Sequence, residues 1–141
     1  MSDYDANAVP ARLAFAVGRL NRRLVGATGG LSHGLLSALA TIAKSGPMRL
    51  ADVAQIENVS APSVTRVIAE LESRGLVARK ADATDGRAFL IQVTDAGMEA
   101  VVLARAARAQ ATKTLLEILD ESELAALEAA LPALERVVGQ A

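Results

Sequence analysis

The fold of this chain is decided by a stretch that opens with Ser60-Ala61-Pro62-Ser63-Val64-Thr65-Arg66 and runs on to Leu71-Glu72-Ser73-Arg74-Gly75-Leu76-Val77. A second segment, Asp85-Gly86-Arg87, leads into Ala88-Phe89-Leu90-Ile91-Gln92-Val93-Thr94 and then Asp95-Ala96-Gly97. In this order the residues predict a capped helix, a glycine stop, a strand, a turn that carries an arginine, and a returning strand. This is the layout of a winged helix-turn-helix, a module that reads DNA.

The helix after Ser60 has the composition that a recognition helix needs. Ser60 is the predicted N-cap, and Pro62 falls in the first turn, where its missing N–H costs nothing. Val64, Ile68 and Leu71 take the inner face. The outer face then consists of Ala61, Pro62, Ser63, Thr65, Arg66 and Ala69. Small and polar residues at these positions allow close approach to base edges.

Thr65 and Arg66 carry the chemistry of that outer face. Thr65 offers a hydroxyl to a base or phosphate and a methyl group to thymine. Arg66 can bind guanine through two hydrogen bonds or clamp a phosphate. The alternative is an exposed amphipathic helix with a good cap, and the helix alone favours neither interpretation.

The hairpin tip favours DNA binding over a merely solvated hairpin. Asp85-Gly86 is a turn signal, and Arg87 directly after it can place a guanidinium in a minor groove. Asp85 repels phosphate, so we expect it to orient Arg87 or Arg74 and to reduce the entropy lost on binding. The predicted DNA contacts are therefore Ser60, Ala61, Pro62, Ser63, Thr65, Arg66, Arg74, Asp85 and Arg87.

Further elements surround this region. Ser32 is the predicted N-cap of a helix that runs to about Lys44, and residues 51–57 form a short helix that buries Val53, Ala54 and Ile56. The two strands are predicted at 76–80 and 88–93. Thr94 caps a long helix to about Leu119, and Asp120-Glu121-Ser122 begins the last helix.

Two narrow apolar seams lie at the ends of the chain. The first, after Pro10, consists of Leu13, Val17, Leu20 and Leu24, and the second of Leu124, Leu127, Leu131, Leu134 and Val138. Such 3/4 spacing resembles a coiled-coil edge. Either the two helices pack on each other within one monomer, or they form an obligate dimer. A small winged domain cannot easily cover both seams, so we expect a homodimer. Its predicted interface residues are Leu13, Val17, Leu20, Leu124, Leu127, Leu131 and Leu134.

The composition indicates one helical domain. The 141 residues are 52% hydrophobic but only 2% aromatic, so small aliphatic side chains pack the helices closely. The chain has no Cys, which excludes disulfides and a thiol redox sensor. No apolar run reaches the ~20 residues that cross a bilayer, and the start Met-Ser-Asp-Tyr-Asp lacks the order of a signal peptide. We therefore expect a soluble cytoplasmic protein with no membrane partner.

The net charge does not by itself predict DNA binding, and the sequence contains no complete catalytic motif. The net charge of −1 counts mildly against DNA binding, so any basic surface has to come from geometry. An enzyme is a competing interpretation. However, the chain has a single histidine, His33, which limits acid–base chemistry, and the glycine-rich segment 26–30 lacks the lysine that follows in a phosphate-binding loop. A faint calcium-loop pattern at 82–86 has Val93 where the bidentate Glu is needed. We expect no catalytic residue, metal or cofactor.

A capped helix that ends in Leu-Glu-x-x-Gly-Leu-Val, an Asp-x-Arg wing and a strand into Thr-x-x-Gly together resemble the MarR family of transcriptional regulators. The resemblance covers nearly the whole chain. It implies a mainly α fold with a small β-wing, in one domain of residues 1–141. The winged lobe would span about 32–94, and the helical dimerisation region about 9–30 and 95–141.

The resemblance also implies a function. Family members bind pseudo-palindromic DNA operators as homodimers, so the expected function is a repressor released by a small anionic or lipophilic ligand. Members hold such ligands between the dimer region and the DNA-binding lobe, where Arg19, Arg22 and His33 are the candidate contacts here. The absence of Cys excludes the peroxide-sensing mode of some members. The competing interpretation is a winged-helix protein–protein adaptor without DNA binding.

Overall fold

The computed structural model describes residues 5–139. In chain order its elements are α1 (Val9–Leu24), a 3-10 helical turn (Val25–Ala27), α2 (His33–Ser45), α3 (Leu50–Glu57), α4 (Ala61–Ser73), β1 (Val77–Ala81), β2 (Phe89–Val93), α5 (Asp95–Leu116) and α6 (Glu121–Val137). The predicted mainly α fold with a small β-wing is confirmed. The signal-peptide expectation depends on residues 1–4, which lie outside the described residues.

The chain divides within α5 into two compact units, one ending at Arg108 and the other beginning at Ala109. In the first unit, α2, α3 and α4 pack on one another, and the antiparallel β1–β2 hairpin packs beside them. Its core is built from side chains with almost no exposed surface: Leu39, Ile42, Val53, Ile68, Leu71 and Ile91. Met48 adds an antiparallel bridge to Ile91, through N···O distances of 3.0 and 2.8 Å, which ties the α2–α3 connection to the hairpin.

The prediction that Ile56 is buried is wrong, since 58% of its surface is exposed. Val53 and Glu57, four residues apart, share the face of α3 that meets α2. The Glu57 carboxylate accepts hydrogen bonds of 2.6 Å from the Ser37 and Thr41 hydroxyls on α2. These bonds fix the rotation of α3 and leave Ile56 on its outer side.

The boundaries of the other elements shift slightly from their predicted positions. The hairpin register pairs Val77 with Val93 and Ala81 with Phe89, so both strands begin one residue later than predicted. The long helix ends at Leu116, three residues before the predicted Leu119. Helix ends commonly vary by this amount, because the last turn is held by few hydrogen bonds.

The Thr-x-x-Gly segment joins the hairpin to α5. The Thr94 hydroxyl donates to the Gly75 carbonyl at 2.7 Å and accepts the Gly97 N–H at 3.0 Å, which caps α5. The Thr94 N–H donates to the Leu76 carbonyl at 3.0 Å. A Cβ on Gly97 would lie 2.0 Å from that same carbonyl oxygen. Only glycine allows α5 to begin this close to the backbone that follows α4.

The second unit consists of the end of α5 and α6. Asp120 and Glu123 form a reciprocal capping box at the start of α6. The pKa of Asp120 is lowered because its carboxylate accepts the Glu123 N–H and the Ser122 hydroxyl. Nevertheless, α6 contains no buried residue. In the part of the chain that the structure describes, no helix is both long and apolar enough to span a membrane.

Candidate nucleic-acid interface

The first turn of α4 is locally pre-organised. Ser60 is the N-cap: its hydroxyl oxygen accepts the Ser63 N–H at 3.3 Å, and its O–H donates to the Ser63 hydroxyl at 2.9 Å. The Thr65 hydroxyl donates to the Ala61 carbonyl at 2.9 Å. Its lone pairs and methyl group therefore remain for an incoming base, whereas its proton is already used. Pro62 lies in the first turn, as predicted.

Arg66 follows on the same outer face. Its side chain is exposed and has no hydrogen-bond or ion-pair partner among the described residues. Val64, Ile68 and Leu71 are buried on the opposite face, which fixes the direction of the outer one. All five donors of the Arg66 guanidinium are thus available to a ligand outside the chain.

Arg74, at the end of α4, is engaged within the chain. Its Nε donates to Glu70 at 2.8 Å, and its Nη1 donates to the Gly30 carbonyl at 3.0 Å. It therefore links the recognition helix to the α1–α2 connection. Its predicted DNA contact stays a prediction, since part of the guanidinium remains exposed.

The start of the hairpin loop, directly after β1, is held by an ion pair that the sequence did not predict. Asp82 is 7% exposed and accepts hydrogen bonds from Arg49 at 2.7 Å and from the Thr84 hydroxyl at 2.7 Å. These bonds, chiefly those from the Thr84 hydroxyl and N–H and then that from Arg49, lower the pKa of Asp82 to about 2. The pKa of Arg49 is raised in turn, because Asp82 stabilises its charge. Arg49 is the N-cap residue of α3, so this contact ties the hairpin to the helix-turn-helix.

Among the described residues Asp85 forms no ion pair, whereas the sequence predicted that it orients Arg87 or another nearby arginine such as Arg74. Its carboxylate accepts the backbone N–H of Arg87 at 3.0 Å. An aspartate forms this turn readily because its side chain reaches the N–H two residues on. Asp85 thus shapes the main chain at the hairpin tip, while the Arg87 side chain is exposed and unpaired among the described residues.

The remaining arginine of the hairpin is paired. Arg79 contacts both carboxylate oxygens of Glu72 at 3.2 Å and lies over the Phe89 ring, 4.3 Å from its centre. Of the five arginines between Arg49 and Arg87, only Arg66 and Arg87 lack a described partner. The two arginines that the sequence singled out most clearly are therefore the two with free side chains.

The predicted ligand contacts do not line the apolar cavity beside the end of α4. Arg19 is exposed and stacks on Phe15, 5.8 Å from the ring centre, and Arg22 and His33 are also exposed. The cavity has a volume of about 470 Å³. It is lined by Ala27, Thr28, Gly29, Leu31, Arg74, Leu76, Ala100, Leu103, Ala104 and Ala107. Among the residues that the structure describes, no three acidic or histidine side chains are placed to hold a metal.

Comparison with proteins of known sequence supports the interpretation of this chain as a winged-helix regulator. A model of the MarR family matches residues 31–89. Over 125 residues the chain is 40% identical to the HTH-type transcriptional regulator Mb0904 of Mycobacterium bovis, and the match covers 87% of each chain. The residues that the family model matches include α4, β1 and the hairpin loop, and they end at Phe89, the first residue of β2.

Solved structures share the fold at low sequence identity. A mutant of MarR from E. coli superposes with a TM-score of 0.80 at 19% identity, over 93% of this chain and 98% of that one. BpsR of Bordetella bronchiseptica, whose DNA binding is regulated by 6-hydroxynicotinic acid, superposes with a TM-score of 0.69 at 22% identity, over 96% and 98%. On the sequence likeness and the winged helix together, the chain belongs to the MarR family of transcriptional regulators, and it is a DNA-binding regulator rather than an enzyme.

Proposed function

We propose that the protein is a repressor that binds a pseudo-palindromic operator as a homodimer and is released from it by a small anionic or lipophilic ligand. In this proposal α4 enters the major groove and the β1–β2 hairpin reaches the adjacent minor groove. A two-fold dimer holds its two α4 helices about 34 Å apart, one turn of DNA, so that they enter successive major grooves.

The observation that carries the DNA contacts is the difference between paired and unpaired arginines. Arg49, Arg74 and Arg79 each have an acidic partner within the lobe. Arg66 on α4 and Arg87 at the hairpin tip have none among the described residues. A guanidinium without an internal partner loses no existing ion pair when it binds a phosphate or a guanine.

The homodimer is supported by the apolar surface at both ends of the chain. Leu20 on α1 is 43% exposed, and Leu131 on α6 is 45% exposed. A 17-residue helix with no buried residue gains little from packing within its own chain, although tertiary packing supplies most of the stability of helices in proteins. A second copy that covers these seams removes this apolar surface from water.

Ligand release is supported by the cavity beside the end of α4. Its lining is mostly aliphatic, and its polar side chains are Thr28 and Arg74. The Thr28 hydroxyl already donates to the Val25 carbonyl at 2.8 Å, so Arg74 is the group that could bind an anion. Arg74 belongs to the recognition helix, so a ligand held by it would favour one position of α4 over another. Arg19, Arg22 and His33 remain candidates for a second contact.

The DNA contacts are tested with operators selected from random sequence and measured by fluorescence anisotropy. Arg66→Ala should weaken binding by about 1–3 kcal/mol, concentrated at one base-pair position, if Arg66 reads a base. Arg87→Ala should weaken binding more evenly and reduce a preference for narrow A·T-rich minor grooves. Arg105→Ala, an exposed arginine on α5, is the matched control. If neither variant changes the affinity at moderate salt, the assignment of these two arginines as DNA contacts is wrong. A wild-type chain that selects no operator at all would favour the adaptor interpretation.

The ligand is tested by titrating salicylate against the operator complex, with the neutral salicylamide as the matched probe. Salicylate should lower operator affinity at millimolar concentration in the wild type but not in Arg74→Ala. Equal effects of both probes would assign recognition to the apolar lining. No effect of either would remove this cavity as an effector site for aromatic anions.

A further inference from the structure

The loop between β1 and β2 is shaped by two aspartates. One oxygen of the Asp82 carboxylate, Oδ1, accepts the Thr84 N–H at 3.0 Å and the Thr84 hydroxyl at 2.7 Å. Asp85 accepts the Arg87 N–H at 3.0 Å in the same way. The Asp82 N–H donates to the Ala88 carbonyl at 3.3 Å, which closes the loop. These bonds define the shape of the loop, but none of them connects it to the helices of the lobe.

The second oxygen of Asp82 makes that connection. Oδ2 accepts hydrogen bonds from Arg49 Nη2 at 2.7 Å and from Arg49 Nε at 3.2 Å. Among the described residues, Arg49 is the only one outside the hairpin that forms a hydrogen bond or ion pair with loop residues 82–88. Asp82 is almost fully buried, so its carboxylate is largely shielded from water. One carboxylate therefore both shapes the loop and anchors it to the start of α3.

Arg49 stands at a position where its side chain has no local use. It is the N-cap residue of α3, yet its side chain forms no capping hydrogen bond. A guanidinium has no acceptor, whereas Ser, Thr, Asp and Asn cap a helix by accepting an N–H. The other hydrogen-bonded link nearby, the bridge from Met48 to Ile91, holds the middle of β2 and not the loop. The arginine therefore contributes to placing the loop rather than to capping its own helix.

We propose that Arg49 and Asp82 are positioning residues that hold the hairpin loop in the orientation in which Arg87 enters the minor groove. This inference rests on the DNA binding proposed above and adds what places its hairpin arginine. Neither Arg49 nor Asp82 has to contact DNA in this role. A loop that is fixed before binding loses less conformational entropy on the operator. A guanidinium held in one place also distinguishes a narrow minor groove from a wide one.

The test uses two operators that differ only in the minor groove that faces the hairpin, which is A·T-rich in one and G·C-rich in the other. The ratio of the two affinities, measured by fluorescence anisotropy, is the A·T preference. Arg49→Ala and Asp82→Asn should each weaken binding to the A·T-rich operator by about three- to tenfold and reduce the preference. Arg87→Ala should abolish the preference, and adding Arg49→Ala to it should cause little further loss. Arg49→Lys can still donate to Asp82 and should restore part of the preference.

The pattern across the variants separates positioning from other roles of Arg49. A phosphate contact would lower both affinities equally in Arg49→Ala, reduce the slope of log K against log salt by about one, and leave binding unchanged or tighter in Asp82→Asn. An equal loss on both operators would thus overturn the inference. If Arg87→Ala loses the preference but Arg49→Ala keeps it, the inference alone is wrong. If Arg87→Ala keeps the preference, the proposed contact of Arg87 is wrong and the inference falls with it.

The orientation of the loop can also be measured without DNA. Because the chain has no Cys, Gly86→Cys creates a single site for a nitroxide label at the hairpin tip. A Cβ at Gly86 would meet no atom within 4 Å. The electron paramagnetic resonance spectrum of the label should narrow when Arg49→Ala is added, since the loop then moves more freely on the nanosecond timescale. Arg105→Ala is the matched control and should leave the spectrum unchanged. A spectrum that Arg49→Ala does not alter would show that the ion pair does not hold the loop and would overturn the inference.

Discussion

The winged lobe and the last helix differ in how far their apolar side chains are buried. In the lobe, Leu39, Leu71 and Ile91 have no exposed surface. In α6, Leu124 is 41% exposed and Leu131 is 45% exposed, although both belong to an equally regular apolar pattern. The core of the lobe is therefore covered within one chain, whereas the apolar seam of α6 stays partly exposed. Periodicity reveals which residues are apolar on one face, but not whether the same chain covers them.

The largest expected effect concerns the junction that completes the lobe. Gly97→Ala would place a Cβ 2.0 Å from the Leu76 carbonyl oxygen, a backbone atom that cannot rotate away. We expect a loss of at least about 3 kcal/mol in the free energy of unfolding, because the start of α5 must move off the hairpin. Urea unfolding followed by circular dichroism measures this loss.

Gly34→Ala is the matched control for this variant. Gly34 lies in the first turns of α2, and a Cβ there would meet no atom within 4 Å. Alanine has a higher helix propensity, so Gly34→Ala should be neutral or stabilising by up to about 1 kcal/mol. A loss as large as that of Gly97→Ala would show that the glycine junction has no special role.

The second prediction separates the two regions by concentration dependence. Val53→Ala removes buried methyl groups from the lobe and should lower the free energy of unfolding by about 2 kcal/mol at every protein concentration. Leu131→Asp introduces a charge into the exposed seam and should lower stability through the dimer constant, so its difference from the wild type should shrink on dilution, as the wild-type dimer also dissociates. Unfolding at two protein concentrations, combined with sedimentation, measures both. A folded Leu131→Asp chain with the wild-type dimer constant would exclude this seam from the interface.

Much of the lobe was predictable because local signals and burial agree there. Ser60 and Pro62 mark the start of α4, Gly75 has the left-handed φ of 72° that a helix stop favours, and the hairpin follows. Ile56 was mispredicted because α3 is only eight residues long, too short for its own pattern to fix its rotation. The rotation of α3 about its axis is set by Glu57, whose hydrogen-bond partners Ser37 and Thr41 are distant in sequence.

The third prediction concerns the Arg49–Asp82 ion pair at the start of the hairpin loop. The pKa of Asp82 is about 2 in the folded chain, below the ordinary value of 3.8. Its carboxylate therefore stabilises the fold above about pH 4, and this contribution is lost as the pH falls from about 4 to about 2. Asp82→Asn should be less stable than the wild type at pH 7 and should lose less stability across that acid range. Urea unfolding at several pH values measures both, with Glu99→Gln as an exposed-carboxylate control. Identical pH profiles for Asp82→Asn and the wild type would contradict this role.

Local sequence patterns indicated candidate site residues only where a side chain has no partner distant in the sequence. Arg66 and Arg87 were predicted as DNA contacts from local patterns, and both side chains are exposed and unpaired among the described residues. The Arg49–Asp82 pair joins residues 33 positions apart, and no local pattern connects them. A partial signal was present, since an aspartate two residues before Thr84 is typical of a turn in which the carboxylate accepts that N–H. The same turn chemistry directs the Asp85 carboxylate to the backbone N–H of Arg87, so its role in orienting an arginine stays a prediction.

The smallest expected effect concerns Arg74, and it tests whether this arginine only stabilises the lobe or also contacts a DNA phosphate. Arg74 and Glu70 are 37% and 48% exposed, so Arg74→Ala should cost only about 0.5 kcal/mol of unfolding free energy. Because two of its nitrogens already bind Glu70 and the Gly30 carbonyl, we expect the salt dependence of operator binding to stay unchanged. Loss of a phosphate contact would instead reduce the slope of log K against log salt by about one. Glu70→Ala provides the comparison, since it breaks the same ion pair but leaves the guanidinium in place. A reduced slope in Arg74→Ala alone would establish the phosphate contact that the sequence predicted.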